Sequence, residues 1–143
     1  MFIKQISIFI ENQKGRLSYI TDVLEKNNIN IRALFLAETG EFGILRIIVN
    51  EPEICEEILK KNNIVAKITP VIGFEVDDTP GGIGKVLRLL AEKNINVEYI
   101  YAFVEKIQNK AIVAAKTGDQ EQAYTILKSN GVQVLDPKTL KNI

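Results

Sequence analysis

Hydrophobic and polar positions alternate along residues 3–10, with Ile6, Ile8 and Ile10 on one side and Gln5, Ser7 and Phe9 on the other. A period of two predicts a strand with one buried face. After a polar turn over residues 11–15 the period changes. Leu17, Ile20 and Leu24 follow helical spacing until Asn27 and Asn28 stop the helix. Residues 29–37 predict a second strand, Thr39, Gly40 and Glu41 a turn, and residues 42–49 a third strand. Pro52 stands where a helix takes its first residue, with Ile54, Ile58 and Leu59 as the apolar stripe. Residues 64–69 predict a closing strand.

The same order then runs again. Residues 71–76 read as a strand and 77–82 as a turn, and Ile83, Val86, Leu87 and Leu90 stripe a helix. Residues 95–104 and 111–116 predict a hairpin. Asp119 can cap a helix carrying Ala123, Ile126 and Leu127, and residues 132–135 finish the unit. The repetition is also literal. At an offset of 66 residues Gly15 matches Gly81, Leu24 matches Leu90, and Asn28-Ile29-Asn30 matches Asn94-Ile95-Asn96. Beyond an apparent insertion in the second hairpin the offset becomes 68, so that Ile58-Leu59-Lys60 meets Ile126-Leu127-Lys128. Such a repeat points to two copies of one supersecondary unit, residues 1–70 and 71–143, with Pro70 at the seam.

The second strand of each copy looks apolar on both faces. Ile29, Ile31, Ala33 and Phe35 oppose Leu34 and Leu36; Val97, Tyr99, Tyr101 and Phe103 oppose Ile100, Ala102 and Val104. This is either an ordinary core strand or one whose second face packs against another domain or chain.

Composition narrows function more than fold. Eighteen basic residues balance eighteen acidic ones, and the balance holds within each half. The basic excess of a nucleic-acid binder is missing. No apolar run reaches membrane-spanning length, the N-terminus lacks a signal-peptide layout, and the single Cys55 precludes an intramolecular disulfide. The expectation is a soluble cytoplasmic protein with neither nucleic acid nor membrane as partner.

The chain has no His, which removes the commonest general base and zinc ligand. Cys55 lies beside Glu56 and Glu57, whose charges disfavour a reactive thiolate. Asp77 and Asp78 are adjacent at a strand end and mark a turn rather than a metal or acid–base pair. Pro80-Gly81-Gly82-Ile83-Gly84-Lys85 has the look of a phosphate loop. Yet Thr79 replaces a required Walker glycine, Val86 the Ser or Thr after Lys, and Leu87 the last glycine of a dinucleotide loop. No catalytic residue, metal or cofactor is expected. A strand–turn–helix junction does expose backbone N–H groups at the positive end of a helix, where a carboxylate or phosphate binds. Gly15 and Gly81 would let ligand atoms approach; they would equally serve plain tight turns.

Residues 12–17, Asn-Gln-Lys-Gly-Arg-Leu, and 78–83, Asp-Thr-Pro-Gly-Gly-Ile, resemble the loop between first strand and first helix of ACT domains. Residues 28–31, Asn-Ile-Asn-Ile, and 94–97, Asn-Ile-Asn-Val, resemble that family's lead-in to its second strand. The resemblance covers the chain as two copies. It implies an α+β fold of two ferredoxin-like βαββαβ repeats, with antiparallel sheets and helices on one face. It also implies a regulatory role: binding a small effector, above all a free amino acid, where two domains meet, and a homodimer. By position it implicates Asn12, Gly15, Leu17 and Asn30 in one copy and Asp78, Gly81, Ile83 and Asn96 in the other. The effector carboxylate would meet backbone N–H groups around Arg16 and Leu17 or Gly82 and Ile83. Lys14 stands where Pro is usual, Asp78 where Asn is common, and Arg16 corresponds to Gly82, so the two sites differ.

The Glu11-Asn12-x-x-Gly15-x-Leu17 stretch also resembles the regulatory subunit of acetolactate synthase. That gives a second reading, a regulatory subunit acting on an amino-acid biosynthetic enzyme. A more distant one is an RRM-like RNA-binding module, which shares the element order. It would need stacking aromatics in the third strand, where Phe42 stands alone at the edge of the first copy and the second offers Ala111-Ile112-Val113-Ala114.

Overall fold

In the computed structural model, which describes residues 2–38 and 40–141, Ile6, Ile8 and Ile10 are buried as the alternation predicts, but of Gln5, Ser7 and Phe9 on the opposite face only Phe9 is exposed, because Gln5 and Ser7 are buried as well. Thr39, assigned above to a turn, lies outside the described residues. The elements are β1 (Ile3–Glu11), α1 (Arg16–Lys26), β2 (Ile31–Glu38), β3 (Phe42–Val49), α2 (Pro52–Lys61), β4 (Ala66–Asp77), α3 (Gly82–Glu92), β5 (Val97–Ile107), β6 (Lys110–Thr117), α4 (Gln120–Ser129), β7 (Val134–Leu135) and α5 (Pro137–Lys141). They form two compact units, Lys4–Thr69 and residues 2–3 with 70–141.

In the Lys4–Thr69 unit, β3 lies between β1 and β2, antiparallel to both. The Phe9 N–H donates to Val65 O (2.9 Å), which lays the chain leaving α2 along β1. Ile6, Ile8 and Ile10 face a core completed by Leu45, Ile47, Ile20, Leu24, Cys55 and Leu59. The other unit repeats this plan: β6 lies between β5 and β4, and β7 pairs with β4, all antiparallel. Its core gathers Ile72, Phe74, Val86, Leu90, Val113 and Leu127.

The repeated Asn-Ile-Asn has a local cause. Asn28 (φ 59°) and Asn94 (φ 58°) take the left-handed conformation that ends a helix. Around Asn28, its own N–H donates to Glu25 O (3.1 Å) and Ile29 N–H to Leu24 O (2.9 Å), the paired bonds of a Schellman turn. Asn94 and Ile95 repeat them with Ala91 and Leu90. Asn63 and Gly131 end α2 and α4 in the same way. Each turn drops the next residue, Ile29, Ile64, Ile95 or Val132, against the core.

Four further details depart from the sequence reading. The second strand does not keep one parity: Ile31 pairs with Val49 but Ala33 with Ile48, a β-bulge, and Val97 and Tyr99 repeat it against Thr117 and Lys116. Ile29 and Ile31 therefore pack into the helix-side core, whereas Ala33 and Phe35 face the other way. Residues 64–69 and 71–76 do not form two strands, because β4 runs unbroken through Pro70. Proline removes one donor but fits an extended backbone. The insertion in the second hairpin is a second bulge: Ala102 pairs with Val113 and Lys106 with Ala111, so β5 carries the extra residues. Finally, α5 follows a β7 of two residues, capped by Asp136, whose carboxylate accepts from Thr139 N–H (2.8 Å).

The start of α3 is fixed sterically. A Cβ on Gly82 would lie 1.9 Å from Asp77 O, whereas one on Gly84 would meet only the mobile end of Arg88, at 3.3 Å. Two neighbouring substitutions should therefore have opposite signs in urea unfolding. Gly82→Ala is expected to cost about 1–3 kcal/mol through forced backbone displacement. Gly84→Ala should gain up to about 1 kcal/mol of helix propensity.

Candidate functional site

The loop after β1 ends in Gly15, at φ 85°, and the loop after the first strand of the second unit ends in Gly81, at φ 84°. A Cβ at either would meet nothing within 4 Å. Glycine is needed there for the backbone conformation, which a side chain would strain, and not for space inside the chain. No side chain caps α1 or α3.

The turn uses some of its own donors. Arg16 N–H donates to Gln13 O (3.3 Å), and the helix ladder starts with Tyr19 N–H to Gly15 O (3.0 Å). Gly82 N–H likewise donates to Thr79 O (2.9 Å), and Lys85 N–H to Gly81 O (3.0 Å). The N–H groups of Leu17 and Ser18 in the first turn of α1, and of Ile83 and Gly84 in that of α3, take no part in these turn bonds. The Arg16 guanidinium lies over the Tyr19 ring, 5.9 Å from its centroid.

Asn12 ties this loop to the β2–β3 hairpin. Its N–H donates to Glu41 O and its Nδ2 to Gly40 O, both at 2.8 Å. The side-chain nitrogen is thus engaged by Gly40, and the side-chain oxygen remains an acceptor. Between loop and hairpin lies a cleft of about 170 Å³, lined among others by Glu11, Asn12, Leu17, Leu36, Glu38 and Phe42. Leu36 and Phe42 were missed as site residues. They stand 20 residues or more along the chain, and only strand register brings them to Asn12: Glu11 pairs with Phe42, and Leu36 with Leu45.

Asn30 is not gathered with Asn12 of its own unit. It precedes Ile31, which pairs with Val49 at the far end of β3, whereas Asn12 follows Glu11, which pairs with Phe42 at the near end. Its N–H donates to Asn50 Oδ1 (3.0 Å), and its carbonyl accepts from Asn50 N–H (3.3 Å). Asn96 likewise stands at the start of β5, its carbonyl accepting from Gly118 N–H (2.9 Å).

At the position of Asn12 the second loop carries a charge. Asp78 N–H donates to Asn109 O (2.9 Å), matching Asn12, but the Asp78 carboxylate pairs with Lys106 (2.5 Å). The neighbouring Asp77 accepts from Lys110, whose hydrogen bond and charge hold the Asp77 carboxyl below its ordinary range. The described residues contain no group of His, Cys, Asp and Glu able to hold a metal. Cys55 is fully buried in the first core. Burial first, and Glu56 second, push its thiol up to about 12.

The family model of the ACT domain pair matches residues 1–143. The chain belongs to the ACT domain pair family. Its two units are accordingly ACT-type βαββαβ repeats of ferredoxin-like fold, and the family resemblance of the two loops holds over the whole chain. The chain is similar to protein BT0572 from Bacteroides thetaiotaomicron, with 38% identity, a TM-score of 0.92, and 100% of this chain and 98% of that one covered. It shares its fold with the regulatory subunit of aspartate kinase from Thermus thermophilus (17% identity, TM-score 0.63, 90% and 93% covered). Aspartate kinase from Clostridium acetobutylicum is similar to this ACT pair over 87% of this chain and 32% of its own (22% identity, TM-score 0.51). No curated protein matches the chain. No helix among the described residues is long and apolar enough to cross a membrane.

Two measurements check the electrostatics. Lys110→Ala should let the Asp77 pKa rise toward the ordinary carboxylate value in an NMR titration, because the partner that favours its charged form is gone. In the native pair, the small stability Asp77 contributes is present above the unfolded carboxyl pKa and lost as pH falls through the depressed folded one. Cys55 should resist a thiol reagent at pH 8 in the native state and label at the rate of a free thiol once urea unfolds the chain.

Proposed function

We propose that this ACT pair is a regulatory, non-catalytic protein, built as two copies over 1–70 and 71–143, that binds a free amino acid. The observation that carries the reading is the cleft of about 170 Å³ beside Asn12. It brings Leu17 of the first turn of α1, the side-chain acceptor of Asn12 and apolar walls into one small space. The effector carboxylate meets the N–H groups of Leu17 and Ser18 at the positive end of α1. Its ammonium meets Asn12 Oδ1 and the carboxylates of Glu11 or Glu38. Its side chain lies against Leu36 and Phe42, which favours an apolar or aromatic amino acid. In the second copy Asp78, Gly81 and Ile83 hold the corresponding positions. Asn30 and Asn96 belong to the site only where a neighbouring domain supplies them, as in a homodimer, and the setting is the cytoplasm. The fold shared with an aspartate kinase regulatory subunit supports a second reading, in which the chain carries its effector signal to an amino-acid biosynthetic enzyme. Acetolactate synthase is the partner suggested by the likeness of the first loop.

A thermal-shift screen against the twenty common amino acids tests the main reading. Ligand at 100 times its Kd should stabilise the fold by about 2.7 kcal/mol, a shift on the order of 5–10 °C. In calorimetry, Asn12→Ala should weaken binding roughly tenfold or more through loss of a hydrogen bond to a charged group. Leu36→Glu, a substitution at a half-exposed wall, should weaken apolar ligands selectively. No shift with any amino acid would overturn the proposal.

A further inference from the structure

We propose that Lys106 closes the second copy's loop, so that each chain takes up effector through the Lys4–Thr69 unit alone. The inference rests on the effector reading above and concerns which of the two loops is open. Lys106 belongs to the stretch of β5 lengthened by the bulge between Ala102 and Lys106, which has no counterpart in β2. Its ammonium stands 2.5 Å from Asp78 Oδ2, and Asp78 occupies the position of Asn12. The chain thus places an ammonium of its own where an amino acid would bring one. Lys110 does the same for Asp77, the counterpart of Glu11.

The walls differ in the same sense. By the two offsets Leu36 corresponds to Ala102 and Phe42 to Lys110, so an apolar side chain finds a methyl group and a cation where the first copy offers two large hydrophobic surfaces. The Lys106–Asp78 pair is itself exposed, at 65% and 44% of the side chains. An exposed ion pair holds weakly. Closure therefore comes from the pair together with the missing wall, and reopening the loop requires changing both.

The test is calorimetry with the twenty common L-amino acids on the native protein, on Asn12→Ala, and on Lys106→Ala combined with Lys110→Phe; unfolding midpoints measured alongside verify that the variants fold. The expected result is one molecule bound per native chain, lost or weakened roughly tenfold in Asn12→Ala, and a second binding event in the double variant. Two molecules bound per native chain, or one in both the native chain and the double variant, would overturn the inference and leave the effector reading standing. Binding by the double variant alone would support closure by lysine and overturn the first-copy site. No binding by either overturns both.

Discussion

The fold depends on how helices α1 to α4 end. A helix leaves its last carbonyls without partners, and here single residues in the left-handed conformation, Asn28, Asn63, Asn94 and Gly131, return two N–H groups to them. The same turn throws the following apolar residue under the helix it has just ended. Everything downstream inherits that geometry: where the next strand begins, which face it presents, and the bulge by which β2 and β5 then change parity.

The helix starts follow no such common rule. Asp119 caps α4 by accepting from Gln122 N–H, and α2 begins on Pro52, which has no N–H to satisfy. The starts of α1 and α3 carry a glycine and no side-chain cap. A capped helix end spends its donors internally, whereas these two have no side-chain cap on the donors at the positive end of the helix dipole. The first of them opens on a cleft with apolar walls and the second on paired lysines and aspartates. Two copies that share helix stops, bulges and glycine turns thus diverge in the hairpin that faces the loop.

Much of this is legible in the order of residues alone. Periods of two and 3.6, the glycine turns, the Asp119 cap and the asparagine stops depend on residues a few positions apart, so local sequence determines them. The twofold repeat and its shift in offset are equally plain, and they locate the insertion that forms the bulge in β5. The absence of His and the neighbours of Cys55 limit the chemistry, although burial is a larger cause of the raised thiol pKa than the adjacent glutamate.

Strand register is what sequence does not supply. Side chains alternate with a period of two, so one bulged residue reverses every assignment beyond it, as between Ile31 and Ala33. The walls of the cleft and the partners of Asp77 and Asp78 come from chain segments 20 or more residues away, and Lys106 meets Asp78 across 28. Such contacts depend on how strands pair, which no short window contains. The sequence by itself therefore determined the repeating unit and the loops that could hold a ligand. Tertiary structure alone decided that Leu36 and Phe42 wall the first loop, that Lys106 and Lys110 pair with the aspartates of the second, and that Asn30 lies at the other end of its own sheet.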